Sequence, residues 1–463
     1  MTHDRPLRVA IIGAGPAGTY AADLLSKSAI PTSIDIIERL PAPFGLVRYG
    51  VAPDHPRIKQ IITALANILG RGDIRLLANV TIGRDLSLDD LRAHYDAVIF
   101  ATGSFEDAPL AIPGVDLKGS FGAADFVSWY DGHPDVPREW PLDARQVAIL
   151  GVGNVALDVA RILTKRPEDL EWTDMPDHVM AALQASPVTD VHVFGRRGPA
   201  QVKFSPLELR ELGQVGGVDV VVYPEDFEFD EGSLAWIESH HQNKQVVNTL
   251  TDWTLREPTG APRRIHLHLL QRPVAIVDDD AGSVAGVRME RMRLTGDGSV
   301  EGTGEFVEYP AQAVYRAVGY WGTPIEGVPF DATRGVIRNA GGRVIGEGGQ
   351  PVPGFYTTGW IKRGPVGLIG HTKSDAQETV ENLVADADAL VAGSRASAVA
   401  LSPDALLTLL KERGVPVVEW RDWEALDAHE RALGEARGRE RVKVVSRDEM
   451  TDVALGRASA DPR

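Results

Sequence analysis

The strand, turn and helix at residues 7–18 constrain this chain more than any other segment. The sequence there is LRVAIIGAGPAG, an apolar strand followed by Gly13, Gly15 and Gly18 in G-x-G-x-x-G spacing. The first glycine permits a tight turn, the second lets the backbone approach a pyrophosphate, and the third lets the helix pack close to the strand. The helix N-terminus offers unpaired N–H groups to the phosphates. The segment therefore predicts a dinucleotide-binding βαβ unit, with a glycine-rich turn that holds no ligand as the alternative.

The next strand ends in an acidic residue. Glu38 closes the run SIDIIE about 20 residues after the last glycine, where an acid can bind a ribose 2′-hydroxyl. The first unit is therefore predicted to hold a dinucleotide whose ribose hydroxyl is free.

A second glycine motif follows in QVAILGVGNVA, with Gly151 and Gly153 between an apolar strand and an amphipathic helix. Its next strand leads to Arg196 and Arg197, where the first unit has an acid. Arginine at that place accommodates a 2′-phosphate, so this motif predicts an NADP site. The alternative is a solvated basic turn.

The order of elements is duplicated along the chain. DAVIFATGS at residues 96–104 and QAVYRAVGY at residues 312–320 each end one half with an apolar strand and a small-x-Gly turn. Such duplication indicates two nucleotide-binding modules. We expect an α/β fold with two Rossmann-like dinucleotide-binding domains that have parallel central sheets, the second inserted in the first. The predicted domains are 1–107, 108–322 and 323–463, where the last range completes the first domain and adds a C-terminal helical segment.

Several further segments carry predictions. The Pro- and Gly-rich residues 40–59 form an ordered loop that contains His55, and such a loop beside a cofactor is a natural place for catalytic groups. A helix begins near Ser205 and places Glu208 and Glu211 on one face. The strand-like runs within residues 219–350 are expected to be antiparallel additions to the second module. We find no chemistry in residues 386–463.

Composition limits the class of protein. The 463 residues are 43% hydrophobic and 24% charged, which is typical of a soluble globular protein of two or three domains. No apolar run approaches the ~18 residues of a membrane span. The N-terminus reaches the first strand almost at once, with no room for a signal or transit peptide, so we expect the protein to work in the cytoplasm.

Charge and cysteine content exclude further classes. The net charge of −17 opposes general nucleic-acid binding. There is no cysteine, which excludes disulfides, a Cys-ligated iron–sulfur cluster and a redox-active C-x-x-C pair. The twelve histidines show no spacing typical of a metal site, and none is predicted. An acidic protein partner would need a local basic patch, for which the candidates are Arg196, Arg197, Lys203, Arg210, Lys362 and Arg363.

Five segments together resemble the adrenodoxin reductase type of ferredoxin–NADP reductase. They are GAGPAG, PFGLVRYGVAPDHPRIK, GVGNVALDVARIL, GRRGPAQVKFSPLELREL and GWIKRGPVGLIGHTK, in family order between Gly13 and Lys373. The third flavin motif is Gly359-Trp360, as in this subfamily, in place of the more usual Gly-Asp. The resemblance implies a flavoprotein that passes electrons between NADPH and a ferredoxin-like iron–sulfur protein, by hydride transfer to FAD followed by single-electron steps.

The resemblance also assigns residues. FAD is expected in the first domain and NADP in the second. For the FAD site the candidates are Gly13, Gly15, Pro16, Ala17, Gly18, Glu38, Arg39, Gly45, Leu46, Val80, Thr102, Gly103, Gly359, Trp360, Gly367, Leu368 and Ile369. For the NADP site they are Val152, Gly153, Asn154, Val155, Arg196, Arg197, Glu208 and Gly367.

Catalytic and docking roles follow from the same resemblance. His55 and Glu211 match a His–Glu pair that assists hydride or proton movement near the flavin. Arg210 matches a basic residue that faces the acidic iron–sulfur partner, and Lys203, Lys362 and Arg363 complete the candidate docking patch listed above. The alternatives are that His55 only anchors its loop, that Glu211 is a surface carboxylate, and that the cations serve NADP phosphates or surface carboxylates.

Two departures and two other functions are weighed against this assignment. Ala108 stands where some relatives have an arginine near the NADP site, and ESHHQNKQ is less basic than the adrenodoxin-binding surface of animal relatives. An NADPH-feeding subunit of an amidotransferase complex is opposed by the absence of cysteine. An NADP-binding redox sensor is opposed by the complete second cofactor apparatus. Flavodoxin or a quinone are the alternative acceptors.

Overall fold

The structure, a computed structural model, describes residues 5–367, 369–393 and 402–457. It forms two compact units. Unit 1 comprises Met1–Glu106, Asp131–Asp135 and Tyr320–Arg463, and unit 2 comprises Asp107–Tyr130 and Val136–Gly319. Each unit has its own sheet and its own hydrophobic core.

The described strands, in chain order, are β1 (Leu7–Ile12), β2 (Thr32–Glu38), β3 (Ile74–Ala78), β4 (Ala97–Phe100), β5 (Glu106–Asp107), β6 (Ser120–Gly122), β7 (Gln146–Leu150), β8 (Asp190–Phe194), β9 (Val218–Val222), β10 (Arg263–His268), β11 (Gln271–Asp278), β12 (Val284–Leu294), β13 (Val300–Pro310), β14 (Ala313–Arg316), β15 (Tyr320–Trp321), β16 (Phe330–Asp331), β17 (Val336–Ile337), β18 (Asn339–Ala340), β19 (Arg343–Ile345) and β20 (Pro351–Thr357).

The described α-helices are α1 (Pro16–Ser26), α2 (Leu46–Tyr49), α3 (Pro56–Lys59), α4 (Ile61–Leu69), α5 (Leu88–His94), α6 (Ala123–Tyr130), α7 (Asn154–Thr164), α8 (Asp177–Ala185), α9 (Pro206–Leu212), α10 (Glu231–Ser239), α11 (His241–Trp253), α12 (Trp360–Arg363), α13 (Ile369–Ala385), α14 (Ala387–Gly393), α15 (Ala405–Glu412), α16 (Trp420–Glu435) and α17 (Arg447–Ala454).

Unit 1 is built on a seven-stranded sheet in the order β18-β19-β20-β4-β1-β2-β3. The strands from β20 to β3 are parallel, and β1 lies between β2 and β4 with Val9 opposite Ile34 and Ala97. Every residue of β1 is buried, so its apolar residues Val9 to Ile12 follow one another without alternation, and the buried Arg8 before them pairs with Asp35 at 2.7 Å. The sheet order places the ends of β1, β2 and β4 side by side.

Unit 2 is built on a six-stranded parallel sheet in the order β6-β14-β7-β8-β10-β9. In its centre β7 pairs with both β14 and β8, so that Val147 lies opposite Ala313 and Val191. The two parallel sheets with helices between their strands confirm the predicted fold class.

One topological expectation is wrong. The run RRIHLHLLQRPVAIV does not form only antiparallel additions, because β10 pairs in parallel with β8 and β9 inside the main sheet. The antiparallel addition begins one strand later, with the three-stranded sheet β11-β12-β13. Apolar residues occur in both β10 and β11, so the sequence pattern does not show that the two strands belong to different sheets.

Within the ranges described above, no helix has both the length and the apolar character needed to cross a membrane.

Candidate cofactor sites

The first glycine turn connects the ends of three strands of unit 1. The Gly13 N–H donates to the Ile37 carbonyl at 2.8 Å. Gly13 has φ +112°, and a Cβ there would lie 2.5 Å from the Ala101 carbonyl oxygen. A Cβ on Gly18 would overlap the Gly13 carbonyl, so helix α1 packs directly on the turn. The first and third glycines are therefore required by the fold itself.

The middle glycine has a different environment. Gly15 is the N-cap of α1, with an ordinary φ of −72°. A Cβ added there would meet nothing nearer than the Gly45 Cα at 3.9 Å. Neither backbone conformation nor the described neighbours demand glycine at this position. The free space lies at a helix N-terminus, which is where a phosphate binds.

Glu38 closes one side of this turn. Its buried carboxylate accepts the Ala14 N–H at 2.8 Å and the Leu40 N–H at 3.0 Å. Burial raises the pKa of Glu38, and these backbone N–H groups oppose the shift. Each carboxylate oxygen can accept more than one hydrogen bond, so capacity remains for a ribose hydroxyl.

The loop after Glu38 returns to the same turn. The Phe44 N–H donates to the Ala14 carbonyl at 2.9 Å, and a Cβ on Gly45 would lie 3.2 Å from the Gly15 Cα. Leu46 then begins α2. On the other side of the acid, the Val80 N–H donates to the Glu38 carbonyl at 2.9 Å. The structure thus brings these candidates for the FAD site together.

The end of β4 contributes buried hydroxyls. The Cβ position of Gly13 is 3.4 Å from the Thr102 Cα, so the segment that contains Gly103 adjoins the glycine turn. The Oγ atoms of Thr102 and Ser104 are buried and have no hydrogen-bond partner among the described residues. Unpaired buried hydroxyls cost roughly 1–3 kcal/mol each, so they indicate a polar ligand. Ser104, which ends the segment DAVIFATGS, is not among the predicted site residues.

The third flavin motif also contacts α1. Gly359 has φ +77°, and a Cβ there would lie 2.6 Å from the Ala17 Cβ. The Gly359 N–H donates to Asp375 at 2.5 Å. Trp360 begins α12, and its ring centroid is 5.8 Å from that of Tyr320.

The remainder of this motif is described in part. Gly367 is exposed and has φ +88°, and Ile369 begins α13. Leu368 lies outside the described residues.

The charge of Arg39 is balanced within unit 1. Its guanidinium pairs with Asp135 at 3.0 Å and lies over the Phe105 ring at 5.2 Å. The cofactor role assigned to Arg39 stays a prediction.

Lys362 is not available to a protein partner. Its ammonium is buried and pairs with Asp375 at 3.2 Å and with Glu378 at 2.6 Å. The prediction of Lys362 as a docking cation is therefore wrong, because the two carboxylates already neutralise it inside unit 1. The two terminal nitrogens of Arg363 are also buried, without a partner among the described residues, so Arg363 presents little charge at the surface.

Unit 2 repeats the main backbone features of the first turn. The Gly151 N–H donates to the Phe194 carbonyl at 3.0 Å. Gly151 has φ +139°, and a Cβ there would overlap the Ala317 carbonyl. Gly153 is the N-cap of α7 with φ −103°, and apart from the adjacent residues no described atom lies within 4 Å of a Cβ placed on it. Space for a phosphate is again present at the middle glycine.

Arg196 and Arg197 follow the strand that contacts this turn. A Cβ on Gly195 would lie 2.8 Å from the Val152 Cγ1, so the basic pair begins beside the second glycine motif. Both arginines are exposed, with no ion pair or side-chain hydrogen bond to another described residue. Two unneutralised guanidinium groups beside a phosphate-binding turn fit a 2′-phosphate.

The segment before α9 braces the same turn. The Lys203 N–H donates to the Val152 carbonyl at 3.0 Å, and the Ser205 N–H donates to the Asn154 Oδ1 at 2.9 Å. Ser205 also caps α9 by accepting the Glu208 N–H at 3.2 Å, as its sequence predicts. The side chains of Lys203 and Arg210 are exposed.

Glu208 is buried and faces Arg161, which is not among the predicted site residues. Its carboxylate pairs with Arg161 at 3.5 Å, and Arg161 also pairs with Asp158 at 2.7 Å. The only signal in the sequence is a basic residue inside the apolar helix NVALDVARIL. Arg161 therefore fixes the position of Glu208 on α9.

The two predicted catalytic residues belong to different units. His55 is buried at the N-terminus of α3 in unit 1. Glu211 is half-buried on α9 in unit 2. Their pairing stays a prediction.

A histidine cluster in unit 2 was also missed. His192 on β8 stacks on His266 of β10 with ring centroids 4.4 Å apart, and its Nδ1 lies 3.0 Å from the His268 Nε2. Burial lowers the pKa of His192 to about 4 and that of His268 to about 2. The cluster exists because β8 and β10 are neighbours, which the sequence does not reveal.

Comparison with known proteins places this arrangement in a family. Residues 7–190 match the model of the pyridine nucleotide-disulphide oxidoreductases. The NADPH-ferredoxin reductase FprA of Mycobacterium tuberculosis is 41% identical, over 98% of this chain and 100% of the relative. The mitochondrial NADPH:adrenodoxin oxidoreductase of Mus musculus is 38% identical, over 97% of this chain and 92% of the relative. The chain belongs to the family of NADPH-ferredoxin and NADPH:adrenodoxin reductases.

Solved structures agree with this family. Mycobacterium tuberculosis FprA in complex with NADPH has a TM-score of 0.90 and 40% identity, over 98% of this chain and 100% of that chain. The predicted family and the predicted ferredoxin–NADP reductase type of enzyme are confirmed.

Proposed function

We propose that this reductase passes electrons from NADPH to a ferredoxin-like iron–sulfur protein, with FAD held by unit 1 and NADP(H) held by unit 2. One observation carries the proposal. In both turns the described residues leave room for a Cβ on the middle glycine, Gly15 or Gly153, so the protein alone does not require glycine there. The names of the relatives, NADPH-ferredoxin reductase and NADPH:adrenodoxin oxidoreductase, support the same reaction.

The residues of unit 1 fit FAD. Gly15 offers the free face of a helix N-terminus to a pyrophosphate, and Glu38 offers a carboxylate to a ribose hydroxyl. The unpaired hydroxyls of Thr102 and Ser104 are suited to polar groups of the cofactor. The buried, unpaired guanidinium nitrogens of Arg363 fit a ligand near the third flavin motif. When bound, FAD would supply the hydride acceptor and the capacity for one-electron transfer.

The residues of unit 2 fit NADP(H). The turn from Val152 to Val155 offers backbone N–H groups at the start of α7, and Gly153 leaves room for the pyrophosphate. Arg196 and Arg197 would bind the 2′-phosphate. Glu208, held by Arg161, would orient the bound nucleotide.

Two groups are candidates to hold or move a proton during hydride transfer. His55 is buried in the ordered loop of unit 1, and Glu211 lies one helical turn after Glu208 on α9. A histidine and a carboxylate are the side chains most often used for general acid–base catalysis. We assign them assisting roles in this reaction.

Of the four cations proposed for docking the iron–sulfur protein, two have exposed side chains. Arg210 and Lys203 are exposed and form no ion pair with other described residues. Lys362 is excluded by its burial between carboxylates. We propose that Arg210 and Lys203 attract an acidic partner. A cytoplasmic location stays a prediction.

The proposed function is tested with purified protein, NADPH, and a small ferredoxin coupled to cytochrome c. We expect a yellow protein with non-covalent FAD, NADPH-dependent ferricyanide reduction, and ferredoxin-dependent cytochrome reduction. Ferricyanide reduction without any ferredoxin-dependent rate would shift the assignment to another acceptor, such as flavodoxin or a quinone. A colourless protein that stays colourless when FAD is added would contradict the assignment of unit 1.

A further inference from the structure

The C-terminal part of unit 1 makes buried polar contacts with the loop that contains Gly45, Leu46 and His55. We call residues 40–59 the front loop. The residues that make these contacts come from α16 and from residues 441–444, a region in which the sequence shows no chemistry.

The first contact is a fully buried ion pair. Arg48 on α2 pairs with Glu430 on α16 at 2.5 Å, and the side chains are 3% and 0% exposed. The Glu430 carboxylate also accepts the Val444 N–H at 3.0 Å and the Arg441 guanidinium at 3.3 Å. Arg48 follows Leu46 by two positions, so this pair fixes the short helix that begins at the cofactor-facing residues.

The second contact is a buried ammonium that reaches both halves of the front loop. The Lys443 side chain is 0% exposed and donates to the Arg48 carbonyl at 3.0 Å and to the Asp131 carbonyl at 2.9 Å. Asp131 in turn pairs at 3.2 Å with Lys59, which follows His55 by four residues and ends α3. Lys443 therefore holds α2 directly and α3 through Asp131.

The third contact supports a strained residue. Phe44 has φ +83°, an unusual value for a residue with a side chain, and it directly precedes Gly45. Its ring packs edge-on against Trp423 of α16 at 5.7 Å. Such backbone strain persists only where the surroundings over-determine it. The packing of α16 therefore helps to fix the loop beside the glycine turn.

We propose that Glu430 and Lys443 are positioning residues for the reaction, because they set the place of the front loop relative to the cofactor-binding turn of unit 1. The inference rests on the proposed function. Buried charges that are fully paired have few alternative arrangements of similar energy, so they hold the backbone groups that they contact in one geometry. Glu430 acts through Arg48, and Lys443 acts through Arg48 and through Asp131 with Lys59.

The test compares two variants with a control for buried charge. Glu430→Gln keeps the shape and removes the charge, and Lys443→Met keeps the stem and removes the ammonium. We expect each to raise the dissociation constant for FAD by about tenfold. At saturating FAD, the rate of flavin reduction by NADPH should fall by on the order of tenfold or more, because a small misplacement of the reacting groups is costly. The dissociation constant for NADP⁺ should stay unchanged.

The control is Asp35→Asn. Asp35 is a buried carboxylate of the same unit, paired with Arg8 at 2.7 Å and bonded to Tyr95 at 2.6 Å, without contact to the front loop. Asp35→Asn should lower the melting temperature while the FAD affinity and the flavin reduction rate stay close to wild type. A purely structural role for Glu430 would give the same pattern as this control, and that result would overturn the proposal.

The remaining outcomes are also decisive. If Glu430→Gln does not fold, Lys443→Met decides by the same measurements. If neither folds while Asp35→Asn does, both residues serve stability and the proposal is overturned. Failure of the proposed function is separate, because wild-type protein would then lack FAD binding or NADPH-dependent ferricyanide reduction.

Discussion

The carboxylate of Glu38 accepts a hydrogen bond at 2.8 Å from the backbone N–H of Ala14, inside the first glycine turn. In both units the N–H of the first glycine donates to a carbonyl of the second strand, Gly13 to Ile37 and Gly151 to Phe194, but in unit 2 an arginine pair takes the place of the acid. The two modules therefore share one frame and differ in the charge offered to the ribose. Their predicted preferences follow from this difference.

Replacing Glu38 by glutamine should weaken FAD binding. The amide would turn an N–H₂ group toward a backbone donor or toward the ribose hydroxyl, and a hydrogen bond to a charged group contributes roughly 1.5–3 kcal/mol. We expect the dissociation constant for FAD to rise roughly tenfold to a hundredfold in a fluorescence titration of apoprotein. Glu419→Gln, at the half-buried N-cap of α16, is the control. Equal FAD affinity in Glu38→Gln and wild type would remove Glu38 from the site.

Replacing Arg196 and Arg197 together by glutamine should remove the preference for NADPH. Two charge-assisted hydrogen bonds to the 2′-phosphate are lost, so KM for NADPH should rise by on the order of a hundredfold, while KM for NADH changes little. The matched control is Arg288→Gln with Arg293→Gln, which removes two exposed charges from β12 of the same unit. An equal loss with both nucleotides would show that the pair is structural.

Charge reversal at Arg210 should impair only the ferredoxin-dependent reaction. Attraction between exposed patches is screened over ~8–10 Å at physiological salt, so ferredoxin reduction should slow as ionic strength rises. Arg210→Glu should raise KM for ferredoxin and flatten this salt dependence, while ferricyanide reduction is largely unchanged. Arg145→Glu serves as the control, because Arg145 is also exposed and forms no ion pair with another described residue. Identical salt slopes for Arg210→Glu and wild type would exclude Arg210 from docking.

The histidine cluster should make the protein sensitive to acid. Burial lowers the pKa of His192 to about 4 and that of His268 to about 2, whereas an unfolded histidine titrates near pH ~6.5. Below that pH the unfolded chain binds protons that the folded unit does not, so stability is full above pH ~6.5 and is lost as pH falls toward 4. At pH ~5 each histidine should account for about 2 kcal/mol of lost stability.

Removing one histidine tests this linkage. The His268 ring stacks on Phe194 at 4.7 Å and on Tyr223 at 4.6 Å, so phenylalanine fits its surroundings. The melting temperature of His268→Phe should fall less than that of wild type between pH 6.5 and 4.5, because unfolding of the variant takes up about one proton fewer. His241→Phe, at an exposed histidine, is the control. A decline as steep as that of wild type would contradict the pKa shift of His268.

Much of unit 1 could be predicted because its signals are local. The glycine spacing requires the turn at Gly13, and Glu38 lies at the end of the adjacent strand. The return of the chain after Tyr320 was expected, and β20 does pair with β4. These features depend on short segments whose backbone geometry limits their neighbours.

Other features could not be predicted because they depend on distant pairing. Lys362 carries the same charge in the sequence whether it is exposed or buried, and only the fold brings Asp375 and Glu378 to it. The cluster of His192 with His268 needs the neighbouring positions of β8 and β10. The buried pair of Arg48 with Glu430 joins residues 382 positions apart.

The central claim is that unit 1 binds FAD and unit 2 binds NADP(H), each at a middle glycine that only a ligand requires. The most direct test measures FAD and NADP⁺ affinity and melting temperature of the apoprotein for wild type, Gly15→Ala and Gly153→Ala. A Cβ fits both positions in the protein alone, so we predict wild-type melting temperatures for both variants. Gly15→Ala should lose FAD affinity and keep NADP⁺ affinity, and Gly153→Ala should do the reverse. Unchanged affinity for both ligands in both variants, or loss of the same ligand in both, would contradict the account.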